Sequence, residues 1–129
     1  MLRTIKRVFN KLFGWPNLEF NDTVHWVSDC TQYVPADKPV FSEQAAWLLA
    51  NPKVSIMIEG YCDELEGSRE HCLLLGVQRA SAHQAQIVRL GVDPARIKTI
   101  SYGRERPGYN PAVDPNANAK NRRTILRTY

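Results

Sequence analysis

The sequence predicts a two-layer α/β sandwich in the order β-α-β-α-β-β, with two helices packed on one mixed sheet of about four strands. Three observations lead there. "KVSIMIEG" alternates, with Val54, Ile56 and Ile58 on one side, as a strand with one buried face does. Two longer segments, 40–52 and roughly 72–90, repeat their apolar residues at helical intervals. Stretches rich in Pro, Gly and Asn separate these segments, so the chain must fold back between them. Helices that follow strands in this way bury their apolar stripes against a sheet.

The elements read in order as follows. Gly14, Pro16, Asn17, Asn21 and Asp22 mark residues 14–23 as a linker. "TVHWVSD", residues 23–29, is β-branched and aromatic and predicts the first strand. The two prolines of "YVPADKP" end it. "VFSEQAAWLLANP" predicts a helix with Phe41, Ala45, Leu48 and Leu49 on one face, stopped by Asn51-Pro52. The strand around Ile56 follows. The second helix shows a stripe of Gly76, Ala80, His83, Ile87 and Leu90, with Gly91 as a C-terminal glycine. "DPARIKTISYG" gives a turn and a strand from about Ile97 to Tyr102. "RERPGYNPAVDPNANAK" reads as a loop, and "NRRTILRTY" as the last strand. The predicted division is a basic amphipathic segment and linker, 1–22, ahead of one domain, 23–129.

Composition narrows the function. Of the 129 residues 43% are hydrophobic and 23% charged, which suits one soluble globular domain. No apolar run approaches the length of about 20 residues that crosses a bilayer. Four of the 17 basic side chains, Arg3, Lys6, Arg7 and Lys11, lie in the first thirteen residues, leaving the other 13 matched by 13 acidic ones. The excess charge therefore belongs to the start of the chain, and a nucleic-acid-binding body, which needs a basic stripe, is not predicted. In residues 1–13, Leu2, Ile5, Phe9 and Leu12 recur at helical spacing between these bases. That pattern fits a helix lying on an anionic membrane surface, docked on a partner, or packed on the domain. Its charges interrupt the apolar stretch that an export signal requires, so none is visible.

The stretch 60–80 concentrates the chemistry. Cys62 and Cys72 flank a loop of acids and bases that suits a metal site, a disulfide or a charged-ligand loop. The zinc reading would use Cys62, His71 and Cys72, but lacks the paired spacing of zinc ligands. A cysteine nucleophile with His71 as base fails because neighbouring helical residues point apart. His83, on the buried stripe, reads as a hydrogen-bonded core residue. Arg122 and Arg123 read as an edge pair with structural partners, or as anion ligands. No cofactor, no metal and no enzymatic activity are predicted.

Several motifs stand in a specific order: Glu59-Gly60-Tyr61-Cys62-Asp63, then Leu75-Gly76-Val77-Gln78-Arg79-Ala80, then Ser101-Tyr102-Gly103 with Pro107, then Asn121-Arg122-Arg123. Together they resemble the C-terminal domain of OmpA, MotB and the peptidoglycan-associated lipoprotein, over residues 23–129. The sequence departs from that pattern at Tyr61, where the family has His, at Cys62 (Ala or Thr) and at Cys72 (Asn). Its strand-to-helix loop is also one residue longer. The resemblance implies non-covalent binding of the diaminopimelate side chain of peptidoglycan. Asp63 would take the ammonium and Arg79 the carboxylate, in a pocket lined by Tyr61, Cys62 and Cys72. It implies the periplasm, with the chain anchoring an outer-membrane or envelope component to the wall, and other envelope proteins as further partners. It places Cys62 and Cys72 within disulfide reach, with Cys30 left over. The alternative is a docking module of a larger envelope or secretion assembly that keeps the fold without the ligand.

Overall fold

The computed structural model describes residues 21–35 and 39–129. The amphipathic segment predicted at 1–13 and most of the predicted linker lie outside these. The elements are β1 (Thr23–His25), α1 (Val40–Ala50), β2 (Ile56–Tyr61), α2 (Arg69–Arg89), a 3-10 turn at Pro94–Arg96, β3 (Ile97–Gly103), α3 (Ala117–Asn121) and β4 (Arg123–Thr128). The sheet runs β1-β4-β2-β3. β4 is antiparallel to both neighbours, while β2 and β3 are parallel. A parallel pair needs a long crossover, and α2 supplies it. This is the predicted mixed four-stranded sheet, with a third, short helix where a loop was expected.

The core lies between the sheet and α1 and α2. Ile56 and Ile58 of β2, Leu126 of β4, Leu48 of α1 and Ile87 of α2 have no exposed surface. Each such side chain contributes roughly 1.5–3 kcal/mol through burial. The strand around Ile56 follows its predicted alternation, with Ile56 and Ile58 facing the helices. The predicted face of α1 is shifted. Leu49 is 51% exposed, and Gln44 is fully buried in its place. Leu90, predicted on the stripe of the second helix, is its C-cap residue and is likewise 42% exposed.

Gln44 is inside because His83 requires a partner. His83 Nε2 lies 2.7 Å from Gln44 Oε1, and Nδ1 lies 2.7 Å from Thr124 Oγ1. The Gln44 oxygen can only accept, so Nε2 carries the proton and Nδ1 accepts from the Thr124 hydroxyl. The same hydroxyl accepts from Trp26 Nε1 at 3.0 Å, and Gln44 Nε2 donates to the Asn21 carbonyl at 2.9 Å. One directed chain of bonds thus joins Trp26 just after β1, β4, α2, α1 and the segment before β1. His83 is a satisfied core residue, as its place on the stripe suggested.

Two glycines set the distance between α2 and the sheet. A Cβ on Gly60 would stand 1.9 Å from the carbonyl oxygen of Gly76, and one on Gly76 would stand 2.1 Å from Ser101 Oγ. The carbonyl facing Gly60 is backbone and cannot yield, and a Cβ on Gly76 would also press on the Gly60 carbonyl oxygen at 3.0 Å. The contact sits one helical turn from Arg79 and fixes the depth at which its side chain enters the fold.

Charge that balances along the chain does not balance in space. Lys98, Arg123 and Arg127 lie at alternate strand positions on the face away from the helices, among which Glu59 is the one acid of the described strands. The Arg123 guanidinium covers the Tyr61 ring at 4.0 Å, and Arg127 Nε donates to Glu59 Oε1 at 2.6 Å.

Burial lowers the pKa of His83 to about 3, so the fold holds it neutral. A group with a depressed folded pKa contributes stability that is present above its unfolded value, near 6.5, and is lost as pH falls below it. Unfolding free energy measured with urea should therefore drop by about 2 kcal/mol between pH 7 and pH 5 from this residue. A His83→Asn variant, measured the same way, should lose that component.

Candidate functional site

The site is built where β2 ends and α2 begins. After Tyr61 the chain turns through residues 62–68, and Ser68 caps α2 by accepting from the His71 N–H at 3.1 Å. The helix thus opens three residues before the predicted Cys72, which sits fully buried in its first turn. Cys62 and Cys72 form a disulfide with Cα atoms 5.4 Å apart, so the turn is tied at both ends. Their sulfurs are committed to each other, which removes the zinc and nucleophile readings of this pair. Among the described residues no group of three His, Cys, Asp or Glu converges as metal ligands. Cys30 is a free, partly exposed thiol.

Arg79 enters from α2 with no exposed surface. Its Nε donates to the Cys30 carbonyl at 3.1 Å. Nη1 donates to the Tyr61 carbonyl at 3.1 Å and to Glu66 Oε1 at 2.8 Å. Nη2 donates to the Val27 carbonyl at 3.1 Å and to Glu66 Oε2. A guanidinium has five N–H groups, and all five are used. The pair with Glu66 is bidentate, the strongest form of carboxylate recognition.

Glu66 is the residue that sequence reasoning missed. Its side chain is as buried as that of Arg79. Besides the guanidinium, Oε1 accepts from the Asp63 N–H at 3.0 Å and Oε2 from the Asp29 N–H at 2.6 Å. Asp29 presents that N–H from a left-handed backbone, φ 53°, a costly conformation for a non-glycine residue. Burial alone would raise the pKa of Glu66. The bonds from Arg79, Asp63 and Asp29 outweigh it and hold the carboxyl below its ordinary value.

Asp63 is 2% exposed. Its Oδ1 accepts from the Leu65 N–H at 2.7 Å, and Oδ2 pairs with Arg122 Nη1 at 2.9 Å. Arg122 also donates to the Trp26 carbonyl, and keeps 21% of its side chain exposed. The structure therefore brings Asp63 and Arg79 into one cluster through Glu66, and adds Arg122 to it. Tyr61 does not line this cluster with its ring. The ring lies on the other face of the sheet, between Tyr102 and Arg123, with its hydroxyl donating to Glu59 at 2.9 Å. Burial and the Glu59 carboxylate raise that hydroxyl to about 12. Only the Tyr61 carbonyl meets Arg79.

Clefts open on the surface among the described residues. One of about 450 Å³ lies beside the disulfide, lined by Cys62, Glu64, Arg104, Pro107, Tyr109 and Asn110 among others. Glu64 is exposed, and Arg104 lines the same cleft. Another, of about 510 Å³, lies between β1 and the start of α1 and shares no lining residue with Asp63, Glu66 or Arg79.

These features define an α/β domain whose charged cluster is built at the carboxyl end of a central strand. The chain belongs to the OmpA family, whose model matches residues 28–122. It is 40% identical over 86 residues to the peptidoglycan-associated lipoprotein of Rhizobium meliloti (strain 1021), covering 67% of this chain and 48% of that protein. It is 37% identical over 87 residues to that of Haemophilus influenzae (strain ATCC 51907 / DSM 11121 / KW20 / Rd), covering 67% and 56%. The chain spans about half the length of these curated relatives. The crystal structure of the peptidoglycan-associated lipoprotein from Burkholderia pseudomallei superposes with a TM-score of 0.74 at 29% identity, covering 84% of this chain and 91% of that one. The periplasmic domain of Helicobacter pylori MotB (residues 78–256) shares the fold, with a TM-score of 0.66 at 19% identity over 81% and 69%.

Removing one partner of a buried ion pair strands the other. Arg79→Ala should cost about 3–5 kcal/mol in a denaturant melt. A Cys62→Ser, Cys72→Ser double variant should lose up to about 3 kcal/mol through the freed turn in the unfolded chain, measured in the same melts.

Proposed function

We propose that this domain binds peptidoglycan without covalent chemistry and tethers an envelope component to the wall, working in the periplasm. The recognised group is the diaminopimelate end of the stem peptide, which carries an ammonium and a carboxylate on one carbon. The observation that carries the reading is the joining of Asp63 and Arg79 in one cluster, on a fold shared with relatives named peptidoglycan-associated lipoproteins. Asp63 offers the ammonium a carboxylate that already faces the partly exposed Arg122. Arg79 offers the carboxylate a planar fork. The peptide would run along the cleft beside Cys62, Glu64 and Arg104. A disulfide at the rim suits an oxidising compartment. Binding of this kind needs no nucleophile and no general base. Among the described residues no helix is long and apolar enough to cross a membrane.

One observation favours a second reading, a docking module of a larger envelope assembly. All five donors of Arg79 are already satisfied inside the protein. The two readings separate on sedimentation with purified sacculi. The wall-binding reading expects the protein in the pellet, released by a diaminopimelate-containing peptide. Asp63→Asn keeps the oxygen that accepts from Leu65 but loses the charge, and should weaken binding at least about tenfold. A protein that stays in the supernatant at every sacculus concentration would favour the docking module.

A further inference from the structure

We infer that Glu66 is a built-in ligand of the carboxylate seat, so that an external carboxylate reaches Arg79 by exchange with it. The seat is assembled from three parts of the chain that are distant in sequence. Arg79 comes from α2, the Asp63 N–H from the end of β2, and the Asp29 N–H from the loop after β1. Together they aim four N–H groups at one carboxylate, two at each oxygen. That number fills the lone-pair positions of a carboxylate. The donors are set for the group itself and not for the rest of the glutamate, so any carboxylate that fits between them meets the same bonds.

The glutamate arrives on a segment that contributes little else to the core. Glu64, Leu65, Gly67 and Ser68 are all exposed, and Leu65 is 76% exposed. Gly67, next to Glu66, has φ 142°, a conformation open to glycine. The turn can therefore withdraw one side chain while Cys62 and Cys72 hold its two ends. A buried guanidinium without a counter-charge is unfavourable, so withdrawal is coupled to the arrival of another carboxylate. The affinity for that carboxylate is the difference between two similar exchanges, and Glu66 sets it. This deepens the reading of the same site as a diaminopimelate receptor, but the filled seat itself does not depend on that reading.

The experiment removes the internal ligand. Thermal melts of Glu66→Ala and of the parent are compared in sodium acetate and in sodium chloride at matched ionic strength. Glu66→Ala is expected to melt lower than the parent in chloride, and to recover in acetate, while the parent is indifferent. If the variant is unfolded in chloride, recovery of its far-UV dichroism in acetate is the same result. Equal response of variant and parent to acetate overturns the inference. In a second arm, Glu66→Ala should bind meso-diaminopimelate at least about tenfold more tightly than the parent in calorimetry. Recovery in acetate without any diaminopimelate or sacculus binding would keep the filled seat and remove the wall-binding reading. Sacculus binding by the parent without recovery in acetate would do the reverse.

Discussion

The buried pairing of Arg79 with Glu66 organises this end of the molecule. Five bonds from one guanidinium reach the loop after β1 at Val27 and Cys30, the end of β2 at Tyr61, and the turn at Glu66. The loop after β1 is not held there by apolar packing comparable to the core between Ile58 and Leu48, since Val27, Ser28 and Asp29 are exposed. The loop after β1 is instead fixed by carbonyls that accept from Arg79 and by the Asp29 N–H that binds Glu66. Such an arrangement is costly in isolation, because two charges leave water. It holds because every donor of the guanidinium and both oxygens of the carboxylate are matched.

Arg79 and His83 are four residues apart on α2 and therefore share its buried face. A helix in a small domain ordinarily buries an apolar stripe. Here the stripe includes a guanidinium network at one turn and an imidazole network at the next. Each recruits its own partners: Glu66, Asp63 and Asp29 around the first, and Gln44, Thr124 and Trp26 around the second. The two networks meet the sheet on either side of Ala80. Misplacing α2 by one turn would leave both unsatisfied, so they specify its register more sharply than exchangeable aliphatic contacts would. The close Gly60–Gly76 contact sets its depth. Direction, register and depth are thus fixed by different residues.

Much of this architecture was readable from periodicity, because β2 and α2 each have one apolar face and breakers at their ends. The parts that were not readable have particular causes. Gln44 is polar in an amphipathic helix and so reads as solvent-facing, yet it is buried to serve His83. α3 is a single turn inside a segment rich in Pro and Asn, where local composition favours a loop. The early start of α2 depends on a cap from Ser68, a weaker signal than the apolar residues beginning at Cys72. The resemblance placed Tyr61 at the pocket, but strand alternation carries its ring to the other face. Asp63 and Arg79 were picked out by the motifs that resemble the OmpA-like domain. What lies between them could not be read, because nothing in a string of letters distinguishes an exposed acid in a loop from one folded into a cation.

Glu66 and the two cysteines bear on one another. A carboxylate in the seat of Arg79 holds the turn inward, and the disulfide keeps that turn short. Without the disulfide, the same turn would gain freedom in the unfolded chain and reach in the folded one. With it, motion is confined to the residues between Cys62 and Cys72, so Glu66 can leave its seat without detaching β2 from α2. The disulfide thus separates the stability of the fold from the occupancy of the seat. A carboxylate seat that holds its own glutamate must weigh that internal ligand against an external one. Restricting the motion to a single turn keeps this competition local, and leaves the Arg79 bonds to Val27, Cys30 and Tyr61 intact while the fourth partner is exchanged.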